Sequence, residues 1–200
     1  MTRFLPGILA MAAIVVASNI LVQFPIGNWL TWGAFTYPFA FLVTDVMNRA
    51  YGAAAARRVV LAGFIAGVIC SFIAAGLDKT TLRIAIGSGT AFLCAQLLDI
   101  PIFDALRARQ WWVAPLGSTL VGSVVDTALF FFIAFGASLP HDANTGWANE
   151  AVPLLGFGPD LPLWLSLATA DWSMKILLAI LALVPFRIIL RNLLRVHQEN

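Results

Sequence analysis

Apolar residues run through this chain in blocks too long and too continuous for a water-facing fold. A helix crossing about 30 Å of hydrocarbon needs roughly 20 residues. Six stretches have that length, at about 4–24, 30–48, 59–77, 82–100, 112–139 and 161–183. The first follows Arg3 and superficially resembles a secretion signal, but it continues to Phe24 with no small-residue cleavage site before a soluble domain, so it reads as a span. The second contains Gly33 and Pro38 and has charges near its end, which predicts a kinked or broken helix. Pro101, just past the fourth stretch, predicts a kink or stop there. The expected fold is all-α: a polytopic membrane protein built as a bundle of six transmembrane helices. The chain reads as one domain over 1–200, without linker, low-complexity tract or internal repeat, so an inverted-repeat architecture finds no support.

Composition agrees with this pattern. The hydrophobic fraction is 60%, the charged fraction only 11%, and the mean hydropathy is +0.89; soluble domains carry about a quarter charged residues. The net charge of +2 matters less than its placement. With the spans above, one side collects Arg3, Arg49, Arg57, Arg58, Arg107, Arg109, Arg187, Arg191 and Arg195, and the other only Lys79 and Arg83. The positive-inside rule then puts both termini in the cytoplasm. The longest connection, 140–160, carries Asp142, Glu150 and Asp160 without Lys or Arg and suits the outside. Trp29, Trp32, Trp111, Trp112, Trp147 and Trp164 fall at or near span ends, as an interfacial belt requires. Cys70 and Cys94 lie inside apolar runs and read as small packing residues rather than a disulfide or metal pair.

The chemistry is carried by residues that do not belong in lipid, since an ionisable side chain near mid-bilayer costs at least a few kcal/mol and normally faces a partner or a wet cavity. Asp126 stands 14 residues from Trp112, about 20 Å into the fifth helix. Thr119, Gly122, Ser123, Asp126 and Thr127 make a small, polar stripe at helical spacing, fit either for a function or for close helix packing. Asp171 and Lys175 are i and i+4 on the sixth helix; they form a self-neutralising pair, or one binds a ligand while the other holds its charge state. On the fourth helix Ser88, Phe92, Gln96, Asp99 and Phe103 share an aromatic–polar face, and Asp99 has Arg107 as a candidate partner. Tyr37, Phe41, Asp45 and Asn48 share one on the second, where Asp45 has Arg49 at i+4. Asn19 and Gln23 share a face on the first helix. Such faces can converge on a central cavity suited to a planar, polar, nitrogen-rich heterocycle, with carboxylates reading N–H groups and rings stacking on the flat face.

Several chemistries find no residues. No Walker A loop and no H-E-x-x-H motif occurs, and His141 and His197 lie outside the spans. Gly87-Ser88-Gly89 lacks a histidine base at membrane depth. The expectation is a protein that is not an enzyme, with no cofactor and no metal site.

The segment Thr36-Tyr37-Pro38, then Thr44-Asp45-Val46-Met47-Asn48-Arg49 and Tyr51-Gly52, resembles the second-helix signature of the bacterial queuosine-precursor transporters of the vitamin uptake transporter group. Ala95-Gln96-Leu97-Leu98-Asp99-Ile100-Pro101-Ile102-Phe103-Asp104 resembles that family's fourth-helix motif, and the likeness continues through Arg107, Trp111-Trp112, Ala114-Pro115, Gly117-Ser118-Thr119 and Asp126-Thr127 to Lys175. The resemblance implies import of 7-cyano-7-deazaguanine and 7-aminomethyl-7-deazaguanine across the bacterial inner membrane for salvage of the tRNA nucleoside queuosine. It also implies substrate contacts at Asp45, Asn48, Gln96, Asp99, Asp126 and Lys175. Asp126, Asp171 and Lys175 are candidates for a proton or charge relay. The expected partners are the small-molecule substrate and the lipid bilayer, with no nucleic acid. Homo-oligomerisation stays open. Alternatives are a transporter of another small heterocycle, a substrate-binding subunit of an ATPase-coupled uptake system docking through Ala13 and Ala17, and a membrane scaffold.

Overall fold

The computed structural model describes residues 4–139 and 144–198, the stretch 193–198 as backbone alone. Arg3, His141, Asp142 and the side chains of Arg195 and His197 lie outside the described residues. Helix α1 (Leu5–Leu21) starts with Pro6 in its first turn, where the missing N–H costs nothing. A tight hairpin follows, β1 (Pro25–Ile26) against β2 (Leu30–Thr31), turned through Gly27 at φ +59°. The second predicted span is indeed broken, into α2 (Gly33–Thr36) and α3 (Phe39–Tyr51), with Tyr37 and Pro38 at the break. Gly52, at φ +84°, turns the chain into α4 (Ala53–Gly76). Helix α5 (Leu82–Leu106) is capped by Thr81, which accepts from the Ile84 N–H at 3.2 Å. Then come α6 (Val113–Phe135), a short antiparallel hairpin of β3 (Ala151–Pro153) and β4 (Asp160–Pro162), and α7 (Leu163–Gln198).

The helices α4 to α7 are each long and apolar enough to cross a membrane, and α1, with 17 residues, is at the short end of that range. With the broken α2–α3 pair they make six helical passes, so the chain is an all-α, multi-pass membrane protein. Exposed Leu61, Ile65, Ile69 and Phe72 on α4, and Leu177, Ile180, Leu181 and Val184 on α7, face outward, as lipid contact requires. Inside, Met11 and Val15 pack against Met47, Val59, Val60, Phe92 and Ile100, joining α1, α3, α4 and α5. Helices α5 and α6 are the most closely packed pair. Where α3 meets α6, a Cβ on Gly122 would lie 2.7 Å from Phe41 Cε1, so this close approach depends on the absence of a side chain.

Three predicted bounds are corrected. Helix α4 begins at Ala53 rather than 59, because Arg57 and Arg58 are exposed and carry their charges out of the bundle. Helix α5 runs through Pro101 to Leu106; that proline is exposed and its ring intrudes on no packed face. Helix α7 continues far beyond 183, passing Pro185 with the exposed Arg187 and Arg191, because helical structure does not stop where the apolar run stops. The bundle thus has an arginine-rich end, holding Arg49, Arg57, Arg58, Arg107, Arg109, Arg187 and Arg191, and a loop end holding both hairpins.

Candidate functional site

Lys175 is the centre of the site. It projects from the first half of α7 and is 4% exposed. Its ammonium lies 2.6 Å from Asp126 Oδ2 on α6 and 2.5 Å from Asp171 Oδ2 one turn back on α7. It also donates to Thr127 Oγ1 at 3.0 Å and sits 5.6 Å from the centre of the Tyr37 ring. The Thr127 hydroxyl donates to Asp171 Oδ2 (3.0 Å), and the Tyr37 hydroxyl donates to Asp126 Oδ1 (3.2 Å). Tyr37 can reach Asp126 because it stands at the α2–α3 break, where the chain changes direction. One cation against two carboxylates leaves the cluster with a formal charge of −1 and with acceptor capacity to spare, since an ionised carboxylate offers about four lone-pair sites.

This cluster lines a cavity of about 380 Å³ in the loop-end half of the bundle, within the ~300–1,000 Å³ span of small-molecule sites. Tyr37, Asp126, Asp171 and Lys175 supply its most polar part, and Phe130, Phe131 and Phe135 of α6 with Trp29 and Trp147 supply aromatic walls. Asn19 and Gln23 of α1 also reach it. A polar floor at membrane depth beneath aromatic walls can hold a flat molecule by stacking while reading its edge by hydrogen bonds.

Asp45, Asn48, Gln96 and Asp99 do not line this cavity. They form a second buried polar group nearer the arginine-rich end. Thr119, opposite Asp45, is seven residues before Asp126 on α6, or about 10 Å along the helix. Ser118 and Thr119 donate to the two oxygens of Asp45, each at 3.3 Å. The Asp99 carboxyl faces that of Asp45 and the Ser118 hydroxyl, yet neither of its oxygens makes a hydrogen bond of good geometry. Thr44 donates to Gln96 Oε1 at 2.5 Å, leaving the buried Gln96 Nε2 without an acceptor. Beyond them, Asn48 Nδ2 donates to the Ile100 carbonyl (3.1 Å), Arg107 donates to Asn48 Oδ1 (2.9 Å), and Arg49 donates to the Arg107 carbonyl (2.9 Å). These bonds tie the ends of α3 and α5 together.

The sequence-predicted residues therefore fall into two groups, Asp126 with Lys175 and Asp171 on the cavity, and Asp45, Asn48, Gln96 and Asp99 behind it. Two expected pairings do not form. Asp45 turns to α6 rather than to Arg49, and Arg107 pairs with Asp104 at 3.1 Å rather than with Asp99; in each case the arginine finds partners at the helix ends. The Asp171–Lys175 pair does form, but Lys175 also bridges to Asp126 on another helix, which spacing within α7 cannot reveal. Among the described residues, no group of three or more His, Cys, Asp or Glu side chains is arranged to hold a metal ion.

Residues 31–190 match the family model described as "Putative vitamin uptake transporter". The chain is 34% identical to the "Queuosine precursor transporter" of Escherichia coli K12, in an alignment covering 90% of this chain and 83% of that protein. It is 32% identical to the "Probable queuosine precursor transporter" of Haemophilus influenzae, over 91% of this chain and 84% of that protein. A Bacillus subtilis protein of the same description is 33% identical over 58% of this chain and 61% of its own length. No solved structure matches the chain. The match over most of its length, on a multi-pass helical bundle with a charged intramembrane cavity, makes this chain a member of the vitamin uptake transporter family.

Proposed function

We propose that this protein imports the queuosine precursors 7-cyano-7-deazaguanine and 7-aminomethyl-7-deazaguanine across the bacterial inner membrane, with its arginine-rich end and both termini in the cytoplasm. The carrying observation is the loop-end cavity, whose buried Asp126–Lys175–Asp171 cluster lies among aromatic walls. A guanine-like edge offers two adjacent N–H donors beside a carbonyl acceptor. Asp126 accepts from the two donors, Lys175 donates to the carbonyl, and the neighbouring rings stack on the heterocycle. Asp171 keeps Lys175 charged and balanced when Asp126 turns to the substrate. The similarity to relatives described as queuosine precursor transporters supports the same assignment.

The test uses cells that lack both precursor synthesis and their own transporter, fed low concentrations of either base. Expression of this protein restores queuosine in tRNA, and the Asp126→Asn variant does not. No restoration by the unmodified protein would sink the substrate assignment. The competing reading, a binding subunit for a separate ATPase, draws on Ala13, which is exposed on α1, and Ala17, which is half-buried. Stable co-purification with an ATPase would favour that reading, and uptake by the purified chain alone would exclude it.

A further inference from the structure

We propose that the buried carboxyl pair Asp45–Asp99 carries the proton whose inward movement drives import; this rests on the transport reading above. Asp45 is 2% exposed and Asp99 0%. They come from α3 and α5, and both carboxyls face the Ser118 hydroxyl of α6, with Thr119 on the Asp45 side. Two buried carboxylates facing each other repel, and this repulsion is relieved when one of them holds a proton.

The surroundings supply no other relief. Three residues along α3 from Asp45 stands the neutral Asn48, three before Asp99 on α5 the neutral Gln96, and α6 turns the Ser118 and Thr119 hydroxyls to Asp45. Helix α4 packs against α3 through Ala56, Val59 and Val60. Helix α7 brings Ala179, Ala182, Leu183 and Phe186 to the void beside Asp45. The nearby cations are committed elsewhere, Lys175 to Asp126 and Asp171, and Arg107 to Asn48 and Asp104. Among the described residues neither Asp45 nor Asp99 is in an ion pair. Both oxygens of Asp99 and the amide nitrogen of Gln96, each in a fully buried side chain, are without hydrogen-bond partners. Asp126 differs in this respect, because it is in an ion pair with Lys175.

Size and position favour a proton over a metal cation. The void bordered by Asp45 and Thr119 is about 10 Å³, at the limit for a single water, which needs ~10–15 Å³. Asp99 does not border this void, so it offers no seat in which both carboxyls would coordinate a cation, whereas a proton needs none. The pair also lies between the cavity floor and the Asn48–Arg107 tie that closes the arginine-rich end. A proton arriving through the cavity forms an O–H bond on one of the two carboxyls. It leaves when that bond breaks toward the cytoplasm, and the protein returns to its starting charge.

The experiment uses the full chain in proteoliposomes with radiolabelled 7-cyano-7-deazaguanine, measuring counterflow exchange and gradient-driven accumulation separately. An inward gradient of one pH unit should drive about tenfold accumulation for one proton per substrate. Asp45→Asn and Asp99→Asn should lose that accumulation while keeping counterflow, which also shows that the variants fold. Substrate addition should acidify the lumen with the unmodified protein and not with either variant. The inference is overturned if both variants accumulate like the unmodified protein, if either loses counterflow together with accumulation, or if a sodium gradient replaces the pH gradient. Absent counterflow in the unmodified protein would instead overturn the transport reading on which the inference rests.

Discussion

Replacing Lys175 by Met is the sharpest perturbation of the site. The ammonium it removes lies 2.6 Å from Asp126 and 2.5 Å from Asp171, with side-chain exposures of 5% for Lys175, 4% for Asp126 and 19% for Asp171. At an effective dielectric of about 20, two unit charges 4 Å apart attract by about 4 kcal/mol. Much of that is offset by desolvation when the protein folds, but removing one partner leaves the other's desolvation cost in place. Breaking a buried pair in this way destabilises by about 3–5 kcal/mol, and here the two carboxylates left behind also repel. Asp126→Asn/Lys175→Met removes both buried charges and leaves only the half-buried Asp171, so it should be more stable than Lys175→Met alone. The assay is equilibrium unfolding in lipid nanodiscs, read as a double-mutant cycle. The reasoning fails if Lys175→Met stays within about 0.5 kcal/mol of the unmodified protein, or if the double variant is no more stable than the single one.

Other substitutions test neighbouring parts of the account. Gly122→Ala should destabilise by about 1–3 kcal/mol, because its Cβ would sit 2.7 Å from Phe41 Cε1; unfolding in the same nanodiscs measures this, and an unchanged stability would contradict the close α3–α6 crossing. Tyr37→Phe keeps the ring near Lys175 but loses the bond to Asp126, so affinity for 7-cyano-7-deazaguanine should drop by about 1 kcal/mol. Tyr37→Ala should cost more, and equal losses in calorimetry would show that the ring contributes nothing. Arg107→Gln unties the arginine-rich end; hydrogen exchange should quicken at the end of α5, and unchanged protection there would show that this tie does not hold the helices.

Much of the fold was legible because lipid makes a strong demand on sequence: six apolar runs led to six helical passes, and Pro38 marked the break in the second. Helix ends were read less well, since Ala53, Leu106 and Gln198 lie in polar or mixed stretches where hydropathy loses its contrast with the surroundings. The two hairpins are only a few residues long, and no alternation could announce them. For the site, periodicity placed Asp126, Asp171 and Lys175 on helix faces but could not state which faces meet. That Lys175 serves two carboxylates, or that Ser118 and Thr119 turn to Asp45, depends on how three helices are rotated against one another. Asp45 and Asp99 looked like neighbours of Arg49 and Arg107 along the chain, and tertiary packing separated them. Tyr37 could be found in the sequence, since an aromatic residue beside a helix-breaking proline is positioned to leave the helical path and reach another helix.

The central claim is that the loop-end cavity above Asp126 and Lys175 binds a guanine-like base. It is tested most directly by titrating the purified chain with 7-cyano-7-deazaguanine in a calorimeter and repeating the titration with Asp126→Asn. That variant keeps Lys175 paired to Asp171, so the bundle should remain folded. The account predicts saturable binding at one site, weakened at least about tenfold, or roughly 1.4 kcal/mol, by the substitution. Binding of equal strength in the variant, or no binding by the unmodified chain, would contradict it.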